Sequence, residues 1–135
     1  MILVDTSVVV DFLKGADNEK VGLFEELLVK NAPFGIAAFT YQEVLQGARD
    51  EKEYASIRKY LRSQTFYFLP ESVDAYDKAA QLYYKLRRQG ITVRSSIDLL
   101  IAITAIENNL YMLHNDQDFD MMAGAVKELK IFNHF

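Results

Sequence analysis

The sequence predicts an α/β fold on a parallel sheet, in a single domain covering residues 1–135. Strand-like and helix-like stretches alternate along the whole chain, the pattern expected of parallel strands joined through helices. Half of the residues are hydrophobic, enough apolar surface to cover both faces of a sheet. No internal repeat, low-complexity tract or linker breaks this order, and the two prolines mark no domain boundary.

The first strand is expected at Ile2 to Val4, followed by a helix from Ser7 to Leu13 that ends near Gly15. Val21, Phe24, Leu27 and Leu28 repeat at helical spacing and predict a second helix. Phe34 to Ala38 reads as the next strand. The stretch from Tyr41 to Arg62 reads as helical with a break near Arg49-Asp50. Phe66 to Leu69 reads as a strand stopped by Pro70. Tyr76, Ala79, Ala80, Tyr83 and Leu86 would share one face of a long helix ending near Gly90, a residue suited to the left-handed C′ position. A helix from Ser96 to Glu107, a strand from Leu110 to Leu113, a short helix after Asp116 and a strand near Lys130 to Phe132 complete the chain.

Composition excludes several classes. With no cysteine there is neither a disulfide framework nor a thiolate metal site, which fits a reducing cytoplasm. The N-terminus lacks the basic region of an export signal, and Asp5 and Asp11 interrupt its apolar run. The longest later apolar stretch, Leu99 to Ile106, is far short of the ~20 residues that span a bilayer, so no membrane association is expected. A net charge of −4, from 15 basic and 19 acidic residues, argues against a sequence-independent nucleic-acid coat but not against an enzyme touching a few phosphates.

Four acids stand out. Asp5 ends the first apolar run, Glu43 follows the second strand, Asp98 opens a helical pattern, and Asp116 follows Leu110 to Asn115. Each has a structural explanation. Thr40-x-x-Glu43 and Ser95-x-x-Asp98 match the capping box, Asp116 could cap the helix after it, and Asp5 could accept amide bonds at a strand end. Their shared setting weighs the other way. Chemistry in open α/β sheets gathers at the carboxyl ends of strands, where four converging carboxylates would repel one another unless cations bound between them. No lysine or arginine lies in the local windows around Asp5 or Asp116, Lys14 and Lys127 being the nearest. Hard ions such as Mg²⁺ or Mn²⁺ prefer oxygen ligands and would relieve that cost, which suggests phosphodiester chemistry.

Asp5-Thr6-Ser7, Gln42-Glu43-Val44, Ile97-Asp98-Leu99-Leu100-Ile101-Ala102 and Asn115-Asp116-x-Asp118-Phe119 resemble the ordered motifs of PIN-domain ribonucleases. The short form with Arg94 before Ser95-Ser96-Ile97-Asp98 resembles the toxin of a VapBC toxin–antitoxin pair, over essentially the whole chain. The resemblance implies a three-layer α/β/α fold with a central five-stranded parallel sheet. It also implies an Mg²⁺- or Mn²⁺-dependent endoribonuclease that hydrolyses RNA phosphodiester bonds, a small antitoxin blocking the acidic pocket, and a homodimer. Carried over residue by residue, Asp5, Glu43, Asp98 and Asp116 match the acidic quartet that is both catalytic and metal-binding. Ser7 matches a small polar position near the metal, and Asp118 could supplement Asp116. One departure is His114, where many relatives carry Thr or Ser.

Beside these, Lys85, Arg87, Arg88 and Arg94 form a basic run that reads either as a phosphate-contacting rim or as a solvated helix end, with Arg94 the strongest candidate for RNA contact. His114 could orient a phosphate or simply be hydrogen-bonded at a strand end. Most of the eight Tyr and nine Phe suit core or dimer packing rather than base stacking. A receiver domain is disfavoured, because Phe68-Leu69-Pro70 and Ile131-Phe132-Asn133 offer neither its phosphoacceptor Asp nor its Lys. A dehalogenase-type phosphatase would want Asp-x-Asp-x-Thr, and Asp5-Thr6-Ser7 lacks the second Asp. No phosphate-binding glycine loop occurs. The rival of another class is a catalytically silent module that binds RNA or an antitoxin.

Overall fold

Short apolar strands and capped helices alternate from end to end in the computed structural model, which describes residues 1–135. The elements are β1 (Ile2–Val4), α1 (Thr6–Leu13), α2 (Glu19–Val29), β2 (Phe34–Ala37), α3 (Ala38–Gln46), α4 (Glu51–Arg62), β3 (Thr65–Tyr67), α5 (Val73–Arg88), α6 (Ser96–Glu107), β4 (Tyr111–Leu113), α7 (Gln117–Ala125) and β5 (Lys130–Ile131). The five strands form one sheet in the order β3-β2-β1-β4-β5, and every pairing is parallel.

The sheet is apolar on both faces because both are covered by helices, as parallel sheets require. Side chains of a strand alternate between faces, and β1 shows the consequence. Leu3 joins a core with Ala37, Met112 and residues of α5, α6 and α7, while Ile2 and Val4 join a second core with Val8, Phe24, Ile36, Val44 and Leu61. The result is a three-layer α/β/α fold. No helix is long and apolar enough to cross a membrane.

Helix ends follow local chemistry. Asp5, Asn18, Asp50, Ser72, Ser95 and Asp116 each cap a helix through a side-chain oxygen that accepts a backbone N–H. Gly15, Asn31, Gly90 and Asn109 have positive φ just beyond α1, α2, α5 and α6. Each is followed by a Schellman bond, for example Ile91 N to Leu86 O at 2.9 Å. Gly90 therefore ends α5 as its spacing predicts, and the break in the helical stretch falls between Gln46 and Glu51.

Three expectations need correction. The strand expected at Phe66–Leu69 lies instead at Thr65–Tyr67, because its only partner, β2, turns into α3 at Ala38 and leaves nothing to pair beyond Tyr67. Thr40 does not cap a helix. It lies inside α3, which begins at Ala38, so the Thr40–Glu43 capping box is not formed. The stripe on α5 also divides. Ala75, Ala79, Leu82 and Leu86 face the core, whereas Val73, Tyr76, Ala80 and Tyr84 are exposed and Tyr83 is half-buried. At 100° per residue these outer residues form a second apolar stripe beside the core-facing one.

Candidate metal centre

From β1 the chain builds outward first through β2 and β3, then on the other side through β4 and β5. The carboxyl ends of β1 and β4 therefore flank the point where strand order reverses, the crevice where such sheets bind ligands. Asp5 directly follows β1 and donates its own N–H to Leu113 O at 2.9 Å, continuing the ladder to the end of β4. Asp116 follows β4 and caps α7, Asp98 sits in the first turn of α6, and Glu43 projects from α3, the helix after β2.

Asp5 is buried, with 3% of its surface exposed. Its Oδ2 accepts from Ser7 N at 3.0 Å and from Ser7 Oγ at 2.7 Å, and Ser7 Oγ in turn accepts from Asn115 N at 2.9 Å. One hydroxyl thus ties the loop after β4 to the acid after β1. The other oxygen, Oδ1, is buried without a hydrogen-bond partner from the protein. Burial raises the Asp5 pKa, opposed by the bonds from Ser7 and reinforced by the charge of Glu43.

Asp98, Asp116 and Asp118 each offer one carboxylate oxygen within 4.8 Å of the others. Asp116 Oδ1 accepts from Asp118 N at 3.0 Å, the capping bond that places Asp118 facing inward. Asp118 Oδ2 is buried and, like Asp5 Oδ1, has no hydrogen-bond partner. Ser95 caps α6 through Ile97 N at 3.2 Å, and no bond returns from Asp98 to Ser95, so that carboxylate is not spent on the box. Burial, then the charges of Asp5, Asp116, Glu43 and Asp118, push the Asp98 pKa up to about 7. The acids are close enough to feel one another.

Glu43 is held differently. Thr6 Oγ1 lies 2.8 Å from Glu43 Oε1 and 3.0 Å from Oγ1 of the fully buried Thr40. A hydroxyl has one proton, so Thr6 donates to the carboxylate while Thr40 supplies the second bond. Of the four acids singled out in the sequence, Asp98 and Asp116 thus form a tight group with Asp118, and Asp5 and Glu43 stand beside it on hydroxyl supports.

Arg94, outside the local sequence window of Asp116, approaches it in space. Its Nη2 is 3.9 Å from Asp116 Oδ1 and its Nε 3.6 Å from Asp118 Oδ2, with the side chain 76% exposed. Both distances exceed a hydrogen bond. Lys85, Arg87 and Arg88 occupy the last turn of α5, where cations suit the helix dipole, and Lys85 donates to Ala125 O at 2.7 Å. His114 is buried. Its Nδ1 accepts from Asp116 N at 3.1 Å and its Nε2 lies 3.2 Å from Asp120 Oδ1. Because Nδ1 accepts from a backbone N–H it carries no proton, which puts the ring proton on Nε2, and burial lowers the pKa of the ring. Both nitrogens are engaged within the protein, and the ring braces the Asp116 turn. Thr6 escaped the sequence reading, although it stands between two residues that did not, and its only signal was a hydroxyl in the first turn after Asp5.

The donor set is entirely oxygen, two buried carboxylate oxygens lack partners, and the pKa of Asp98 is pushed up by burial first and by the neighbouring acids second. These features fit a hard divalent cation.

The profile of the PIN domain matches residues 2–125 of this chain. The chain is 31% identical over 124 residues to the VapC ribonuclease Mb1587 of Mycobacterium bovis and, equally, to ribonuclease VapC11 of Mycobacterium tuberculosis, covering 91% of this chain and 92% of each relative. Among solved structures it resembles VapBC2 from Rickettsia felis bound to a DNA fragment from its promoter (TM-score 0.71, 22% identity, 100% of both chains). It also resembles VapBC-1 from nontypeable Haemophilus influenzae (TM-score 0.72, 20% identity, 98% of both chains).

Proposed function

Because the chain belongs to the PIN-domain family, we propose that it is a divalent-metal-dependent endoribonuclease and the toxin of a toxin–antitoxin pair, acting in the cytoplasm as one domain over residues 1–135. The observation that carries this reading is the group of Asp98, Asp116 and Asp118 at the strand-order reversal, with Asp5 and Glu43 beside it and two buried oxygens unpartnered.

Asp5, Asp98 and Asp116 would hold Mg²⁺ or Mn²⁺, with Glu43 completing the set and Asp118 supplementing Asp116. Bound there, such an ion would supply a water of lowered pKa and offset charge on the phosphate oxygens. Glu43, fixed through one oxygen by Thr6, keeps its other oxygen for orienting the attacking water. Water attacks phosphorus in line and gives up a proton to solvent. The bond to one ester oxygen breaks, that oxygen takes up a proton and leaves as a hydroxyl, and no side chain becomes covalently attached. Ser7 fixes the Asp5 carboxylate and the Asn115 backbone in mutual register. Arg94 contacts an RNA phosphate at the rim, and His114 acts by holding the Asp116 turn.

An antitoxin partner is supported by the likeness to VapBC assemblies, and in this reading it is a small protein that covers the acidic pocket. The chain pairs with a second copy through the outer stripe of α5. Val73 and Tyr76 are 75% and 56% exposed there, beside a groove lined by Ala79, Val93, Leu99 and Leu100. Tyr76→Lys, read by light scattering, should yield a monomer, and an unchanged mass would refute that face.

The central test is cleavage of RNA by the purified protein with Mg²⁺ or Mn²⁺ against EDTA, alongside Asp98→Asn. Metal-dependent cutting lost in the variant supports the nuclease. Binding of RNA or antitoxin without any cutting would instead make the protein a silent module.

A further inference from the structure

Arg94 is the only cation in an ion pair with the acids of the centre, and the way it is held is unusual for a structural ion pair. It lies in the turn before Ser95, its side chain is 76% exposed, and its two approaches, 3.6 Å to Asp118 and 3.9 Å to Asp116, are too long to be hydrogen bonds. Asp118 Oδ2, the atom it faces, is buried and still lacks a hydrogen-bond partner. The guanidinium therefore offsets charge without satisfying the oxygen. With its guanidinium in solvent and both approaches too long for hydrogen bonds, Arg94 is held only loosely at a buried acid, whereas its planar fork matches the geometry of a phosphate.

We propose that Arg94 is an exchangeable counter-charge. In the metal-free protein it shields Asp116 and Asp118, and when a divalent cation takes those oxygens Arg94 is released to clamp the RNA phosphate at the rim. This inference rests on the nuclease reading above. It adds that the same side chain opposes metal binding and favours RNA binding, so its removal must move the two in opposite directions. A purely structural Arg94 would weaken both or neither, and a fixed phosphate contact would leave metal affinity unchanged.

The test uses the full chain in three forms, wild type, Arg94→Ala and Arg94→Lys. Mn²⁺ affinity is measured by electron paramagnetic resonance without RNA. Arg94→Ala should bind Mn²⁺ about two- to fivefold more tightly, the scale of a loose pair whose cation is exposed. Arg94→Lys should fall between it and wild type. In the cleavage assay Arg94→Ala should raise KM more than it lowers kcat. It should also reduce the log–log salt slope of KM by about 0.7, one phosphate contact to a single strand. The lysine variant should retain that slope. Unchanged or weaker Mn²⁺ binding in Arg94→Ala, or an unchanged salt slope, overturns the exchange while leaving the nuclease standing. Wild type that fails to bind Mn²⁺ overturns both.

Discussion

The two halves of the acidic crevice are built on different terms. On one side Asp5 and Glu43 are each fastened by a hydroxyl from the start of α1, Ser7 for the first and Thr6 for the second, and these hydroxyls reach on to Asn115 and Thr40. On the other side Asp98, Asp116 and Asp118 crowd within 4.8 Å with one loosely placed guanidinium as their only cation. The first half is ordered before any ligand arrives. The second is a concentration of like charge whose most natural completion is a metal ion. Position and charge, the two things a metal-assisted reaction needs, are thus assigned to different residues.

The comparison is broken most severely by Asp98→Asn, which removes a charge from the crowded half. Cleavage should fall on the order of 10²–10³-fold, with an unchanged circular dichroism spectrum. A fully active variant would refute the role of Asp98. Ser7→Ala loosens the ordered half without touching a charge. By analogy with groups that orient metal ligands, it should cost about 10–100-fold in Mn²⁺ affinity or activity, and wild-type affinity would show that the Asp5 rotamer needs no fastening. Thr6→Val frees Glu43 and leaves the buried Thr40 hydroxyl short of a partner. A stability loss of roughly 1–3 kcal/mol in urea unfolding is expected, with a smaller effect on cleavage than Ser7→Ala.

The smallest effect is on pH dependence. With its pKa near 7, folded Asp98 holds a proton that the unfolded chain releases near pH 4. The native state thus binds more protons between those values, and metal-free stability falls as pH rises through that window. The destabilisation is absent below the unfolded value and complete above the folded one. Because Asp98 is only half-buried, solvent screening limits the drop to about 1 kcal/mol. Thermal melts at pH 5 and pH 8 should show it in EDTA. Saturating Mg²⁺ or Asp98→Asn should remove it, and a melt that is flat in EDTA would argue against charge crowding.

Much of this was legible beforehand where the signal is local. Strand β1 is an uninterrupted apolar run, α5 stops where Gly90 permits the left-handed turn, and Asp5 is conspicuous as a charge ending a buried strand. What was not legible is set by long-range contact. Arg94 returns to Asp116 across 22 positions of sequence, beyond any local window. Thr40 looked like a cap until β2 gave way to helix at Ala38. Likewise Tyr76 and Ala79 share an apolar pattern on α5, but only packing against α6 decides which of them is covered.

Strand order has a consequence for how the protein is made. Asp116 and Asp118 lie beyond β4, which takes its place in the middle of the sheet, against β1, only after most of the chain has been synthesised. A nascent polypeptide still lacking this segment has Asp5, Glu43 and Asp98 but neither of the last two carboxylates. While the ribosome is still translating the message, the growing product therefore lacks part of the candidate metal centre.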